Sequence, residues 1–168
     1  NRMRLALEIF GVVREAFPND KPVGIRISAT DWVEGGWDLG DSIALAHALE
    51  DRHCDFIHVS SGGLSPDQEI PLGPGYQVDL CAAITDATEI ATIAVGMIDD
   101  AFQAETIVRS GQADMVALAR GMLADPHWTW RAAKAFRAEA AYPRQYERAL
   151  PDFQTMASPK DPPPKSNK

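Results

Sequence analysis

The chain has 168 residues, 45% of them hydrophobic and 24% charged, the composition of an ordinary globular domain. Its formal net charge of -8 argues against a protein that grips a nucleic-acid backbone, which needs a basic face. No apolar run approaches the ~20 residues of a membrane helix. The two cysteines, Cys54 and Cys81, form neither a CxxC pair nor a dense framework, so they are expected to be reduced, buried thiols of a cytosolic protein.

The opening residues, NRMRLALEIFGVV, predict an amphipathic helix rather than a signal peptide. From Met3 to Phe17 helical spacing puts Leu5, Ile9, Val12 and Val13 on one apolar stripe, and Pro18 stops the helix. No strand and no methionine precede it, so the chain is expected to be a piece of something longer. Lys21 to Ser28 predicts a short strand. The loop ATDWVEGGWDLGD follows, then a helix from Ser42 to Arg52 capped by Asp38 or Asp41. Cys54 to Gly63 predicts a strand ending in small polar residues. After a proline-bearing loop, Gln77 to Ala87 predicts a helix and Ala91 to Ile98 a strand that breaks at Gly96. Asp99 to Gly111 predicts a helix with acidic residues at its start and glycine at its stop. ADMVALAR is a strand-type run, and Asp125-Pro126 opens a helix through about Ala138. The tail SPKDPPPKSNK has a disordered composition.

Strand, loop and helix recur in units of about 30 residues or more, with nearly continuous apolar strands, which predicts a parallel sheet covered by helices. An open doubly wound sheet and part of a (β/α)8 barrel both satisfy that pattern. A whole barrel needs about 250 residues, so the barrel reading makes this chain half of one. The polar residues gather after the strands: Arg26 and Ser28, Ser60 to Gly63, Gly96 and Met97, Arg120 and Gly121. That is the active face of a barrel. No GxGxxG stands at a first strand end, as a dinucleotide fold would require, and the barrel is favoured.

The segments GIRISATDWVEGGWD, VSSGGLSP, GPGYQV, AVGMI, ALARGMLADPHW and QYER occur in this order. Together they resemble the second half of the Old Yellow Enzyme family, FMN-dependent (β/α)8 ene-reductases that take hydride from NAD(P)H, and in detail its thermophilic-like subgroup. The resemblance runs from Asn1 to about Leu150. It implies that the chain holds barrel strands five to eight, with residues 1–141 forming the FMN-binding half barrel and 142–168 a C-terminal extension and tail. The first four strands would carry the His-x-x-His/Asn pair and the tyrosine proton donor. No catalytic residue is therefore assigned in this chain, and the isolated chain is expected to be inactive. Four strands leave two open edges, an aggregation hazard unless two copies pair.

The resemblance also implies the cofactor contacts. Arg26 is the arginine beside the flavin ring, where a cation stabilises the charge that develops on reduction; the competing reading is an ion pair with a nearby acid such as Asp31. Arg120 is the phosphate clamp, a bidentate fork, joined by backbone N–H groups of Gly96, Met97, Ala119 and Arg120. The family often has glycine where this chain has Ala119, and backbone donation survives that change when φ is negative. Ser60 and Ser61 lie on the ribityl-phosphate side. Tyr76 is a packing anchor or a substrate contact. Arg148, in QYER, matches an arginine that reaches a neighbouring subunit, although Ala149-Leu150 stands where Gly-Trp is usual. Trp32 and Trp37 are expected to pack the loop at the barrel mouth. His47, His53, His58 and His127 lack metal spacing and are expected to be structural. The implied partners are NAD(P)H as hydride donor, a small enone-type substrate and, in the parent, further copies of itself, with no nucleic acid, membrane or metal. The alternative function is a half barrel that binds FMN or another phosphate ligand without chemistry.

Overall fold

The computed structural model describes residues 1–146. They fall into two compact units that divide after Ala119. The first begins with α1 (Arg4–Ala16) and continues through β1 (Gly24–Ser28), α2 (Leu39–Glu50), β2 (Phe56–Ser60), α3 (Val78–Ala87), β3 (Ala91–Ala94), α4 (Ala101–Arg109) and β4 (Met115–Val116). All strand pairs are parallel, and the order across the sheet is β1-β2-β3-β4. Each strand thus lies beside its neighbour in sequence. A doubly wound sheet must reverse its strand order at a switch point. This sheet does not reverse, so it is an arc of a barrel, and the fold is half of a (β/α)8 barrel.

The sheet is covered on one face only. Ile27, Ile57, Val59, Thr92 and Ala94 are buried. Against them pack helix residues at helical spacing: Leu45, Ala46 and Leu49 of α2, Val78, Cys81 and Ile84 of α3, and Ala104 and Ile107 of α4. The alternate residues Arg26, His58, Ile93 and Met115 stand in register on the other face, none of them buried. In a closed barrel that face is the interior.

Local chemistry fixes the ends of these elements. Asp38 caps α2 by accepting from the Asp41 N–H at 2.9 Å, and Asp100 caps α4 by accepting from the Gln103 N–H at 2.9 Å. Buried Ser42 donates to the Ala29 carbonyl at 2.8 Å and accepts from Trp37 Nε1 at 2.6 Å, so α2 and the loop after β1 are tied to the sheet. The Arg14 guanidinium at the end of α1 donates to Asp55 Oδ2 at 3.0 Å and to the Pro18 and Lys21 carbonyls. Asp55 also accepts from the Val23 N–H at 2.6 Å, which joins the starts of β1 and β2.

Three sequence expectations change. The stripe Leu5, Ile9, Val12 and Val13 is exposed, at 67, 55, 68 and 40%, and the buried residue of α1 is Phe10, which flanks that stripe. Periodicity identifies the helix but not which face finds a partner. β4 is two residues long instead of the whole run ADMVALAR; just before it the Asp114 carboxylate accepts from the Thr92 N–H at 2.7 Å, and just after it the Ala117 N–H donates to the Ala94 carbonyl at 2.8 Å. In the second unit the helix expected from Asp125 to Ala138 is preceded by a separate short helix, α5 (Arg120–Ala124). The expected helix, α6, spans Trp128–Phe136, and Asp125 bonds the His127 N–H at 3.1 Å ahead of it. His127 stacks on Trp130 at 4.3 Å, Trp130 meets Tyr142 and Tyr146 edge-on, and Trp130 Nε1 donates to the Ala141 carbonyl at 3.0 Å. No helix of the described residues is long and apolar enough to cross a membrane.

Cys54 and Cys81 are free and buried, as expected. Burial pushes the Cys54 thiol up to about 11 and raises that of Cys81 as well. An unfolded chain gives up these protons first, so the folded state is expected to lose stability as pH rises from 9.0 toward about 11. Both thiols are expected to resist iodoacetamide near neutral pH in the native chain and to react readily in denaturant. Mass spectrometry after timed labelling checks this, and rapid native labelling of either thiol contradicts it.

Candidate functional site

A parallel sheet brings all its carboxyl-terminal strand ends to one side, and the polar residues singled out in the first unit meet there. Arg26 is exposed near the end of β1, on the open face. Its Nη1 lies 2.9 and 2.7 Å from the two ring nitrogens of His58, its register partner on β2, and its Nη2 donates to Ser60 Oγ at 3.1 Å. The anticipated alternative, an ion pair with Asp31, does not form. Asp31 instead accepts from the Trp37 N–H at 2.9 Å, and its Oδ1 is buried without a partner among the described residues. Desolvation, and then the neighbouring guanidinium, hold the His58 imidazole below the usual histidine range. The ring is therefore neutral at neutral pH and offers Arg26 a lone pair. A cleft of about 670 Å³ runs along the free edge of β1, lined by Arg26 and Ser28 from one face of the strand and by Ile27, Leu45 and Ala6 from the helix side.

From Ser60 the hydrogen bonds continue across the strand ends. Ser60 Oγ and buried Ser61 Oγ donate to Gln77 Oε1 at 3.4 and 2.7 Å, and Gln77 Nε2 donates to the Val95 carbonyl at 2.8 Å. Gln77 is 2% exposed and acts as a strut from the end of β2 to the end of β3. The chain then turns sharply: Gly96 has φ +123° and Met97 φ +52°. A Cβ on Gly96 would lie 2.7 Å from Gln77 Nε2 and 3.1 Å from Tyr76 Cε1, so only glycine fits both the space and the dihedral. The Gly96 carbonyl accepts from the Gly75 N–H at 2.9 Å, whereas the N–H groups of Gly96 and Met97 meet no protein acceptor among the described residues. Met97 is exposed, so its N–H is open to water or another outside acceptor.

Ser60, Ser61, Tyr76, Gly96 and Met97 thus form one connected group, with Arg26 joined to it through Ser60. Ala119 ends the first unit. Its φ is not among the positive values, so its N–H can donate without strain. Arg120 follows it in sequence as the exposed first residue of α5. Arg148 lies outside the described residues. Sequence reasoning missed two members of the group. His58 passed as structural, though alternation within FIHVS sets it opposite Ile57 and Val59. Gln77 passed as a helix start, because its partners are 16 to 18 residues away in the chain. No cluster of three or more metal-ligating side chains occurs among the described residues.

Residues 1–139 match the family model described as NADH:flavin oxidoreductase / NADH oxidase. The chain belongs to that family. A relative named NADPH dehydrogenase from Halalkalibacterium halodurans is 41% identical over 149 residues, covering 89% of this chain and 43% of the relative. A Bacillus subtilis relative of the same name is 38% identical over 148 residues, 88% of this chain and 43% of its own length. The chain thus spans less than half the length of these curated relatives. A solved 2-naphthoyl-CoA reductase in complex with 2-naphthoyl-CoA superposes with a TM-score of 0.73 at 24% identity, over 80% of this chain and 21% of that one. It supports the half-barrel fold of this NADH:flavin oxidoreductase family member.

The turn after β3 gives a direct test. Gly96→Ala is expected to destabilise the chain by about 1–3 kcal/mol, through strained backbone and the clash with Gln77. Met97→Gly, which relieves a left-handed non-glycine residue, is expected to cost less than about 1 kcal/mol. Urea unfolding of the two variants beside the parent chain measures both.

Proposed function

We propose that this chain is the cofactor-anchoring half of an FMN-dependent NAD(P)H oxidoreductase that reduces activated C=C bonds. The observation that carries this reading is the exposed Arg26, held on the open sheet face by uncharged partners, in a chain of the NADH:flavin oxidoreductase family. The group at the strand ends fits a flavin mononucleotide. It has unpaired N–H donors at Gly96 and Met97 for phosphate oxygens, and hydroxyls at Ser60 and Ser61 on the same network for a polyol chain.

In this reading Arg120 supplies a fork-shaped, permanently charged donor to the phosphate, and the Ala119 and Arg120 N–H groups add to it. Arg26 keeps a positive charge at the ring edge, where negative charge builds on reduction. FMN held by these residues would supply the hydride chemistry between NAD(P)H and an enone-type substrate. Ser60 orients both Arg26 and the polyol, because its hydroxyl accepts from the guanidinium and donates to Gln77. Tyr76 packs beside Gly96 and shapes that turn. Arg148 is assigned to contact between copies of the parent. No side chain here is assigned to protonate the product or to polarise its carbonyl, so turnover requires residues outside this chain.

Fluorescence titration of the 168-residue chain with FMN and with riboflavin tests the reading. Arg120→Ala is expected to weaken FMN at least tenfold and riboflavin less than threefold, about the difference a phosphate contact makes. Arg26→Met is expected to weaken both. No NADPH-dependent loss of cyclohexenone is expected from the chain alone. Equal affinity for FMN and riboflavin defeats the phosphate site, and measurable turnover defeats the assignment of catalysis to residues elsewhere.

A further inference from the structure

We propose that His58 is the positioning residue for Arg26, its neutral imidazole fixing the guanidinium on the open sheet face without neutralising it. This deepens the reading above and rests on it for the flavin, though not for the contact itself.

The geometry comes from the register. Arg26 and His58 are paired residues of adjacent parallel strands, so their side chains leave the sheet side by side on one face. Nη1 lies within 2.9 Å of both ring nitrogens, and the tautomer selects which one accepts. Ser60, two residues on and on the same face, takes Nη2 at 3.1 Å. A long, rotamer-rich side chain is thereby held at two points on one side, and its remaining N–H groups are left for another acceptor.

The choice of partners matters for charge. A carboxylate would hold Arg26 as well, but it would cancel the field that an anionic ring edge needs. His58 and Ser60 accept hydrogen bonds as neutral groups. Among the described residues no carboxylate pairs with Arg26. His58 faces Arg26 across β1 and the uncharged Ile93 across β3. The lowered titration of His58 fits this arrangement, because a proton on the ring removes the acceptor and sets two cations together. The guanidinium is thus held firmly only above the titration of His58. Below it the clamp opens, and because the folded state resists the proton more than the unfolded one, stability falls as pH drops from the ordinary 6.5 toward that lower titration.

Histidine resonances of the full chain, followed by NMR against pH and assigned with His58→Asn, test the contact without any flavin. His58 is expected to titrate below the ordinary value of about 6.5, and Arg26→Met is expected to raise it measurably. FMN titrations test the consequence. His58→Phe is expected to weaken FMN about tenfold, the scale of one hydrogen bond to a charged group. His58→Asn, which keeps a neutral acceptor, is expected to stay within about threefold. A His58 titration unmoved by Arg26→Met overturns the proposal, as does equal FMN binding by the Phe and Asn variants. If the unsubstituted chain binds no FMN, the flavin reading fails, and the His58 titration alone decides whether the clamp exists.

Discussion

In-register parallel pairing is the constraint on which the rest of this molecule depends. Because Gly24 to Ser28 align residue for residue with Phe56 to Ser60, each strand leaves the sheet at the same level and on the same side. Residues remote in sequence become neighbours in rows across the sheet: Arg26, His58, Ile93 and Met115 form one such row. A slip of one residue would turn Arg26 into the layer under the helices and bring Ile27 out. The buried layer of Ile27, Ile57, Val59 and Ala94 therefore protects the polar layer opposite it. Hydrophobic burial sets the register, and the register sets the chemistry.

Above that row, the strand ends are laced by side chains where the backbone ladder stops. Gln77 replaces the missing ladder bonds between β2 and β3, taking protons from two serines and giving one to a carbonyl. It is buried, so each partner it satisfies would otherwise carry a desolvation cost of about 1–3 kcal/mol. The left-handed turn at Gly96 and Met97 can be tight because its outer side rests on that amide. Rigidity here comes from polar satisfaction rather than from apolar packing, as suits a surface meant to meet a polar ligand.

Much of this was legible in the sequence, for identifiable reasons. Short apolar runs bounded by turn residues gave the strands, and capping aspartates gave the starts of α2 and α4. Small polar residues after those runs marked the strand ends where the site gathers. What was not legible depends on distance in the chain. No local rule says that Gln77 meets Ser61 or that Arg26 chooses His58 over Asp31. Nor could periodicity tell which side of α1 is covered, since Phe10 and the Leu5–Val12 stripe are both apolar.

α1 has a consequence of its own. It buries one side chain, Phe10, and otherwise is held by polar contacts near its two ends: Arg2 to the Gly36 carbonyl and Asp41, and Arg14 to Asp55 and the turn that follows. With so little apolar area committed, it is expected to open locally more readily than α2 or α3. Both retaining contacts are ionic and partly exposed, so added salt loosens them while leaving the buried layer untouched. Ionic strength thus weakens the charged ties of the first helix more than it does the apolar layer under the sheet.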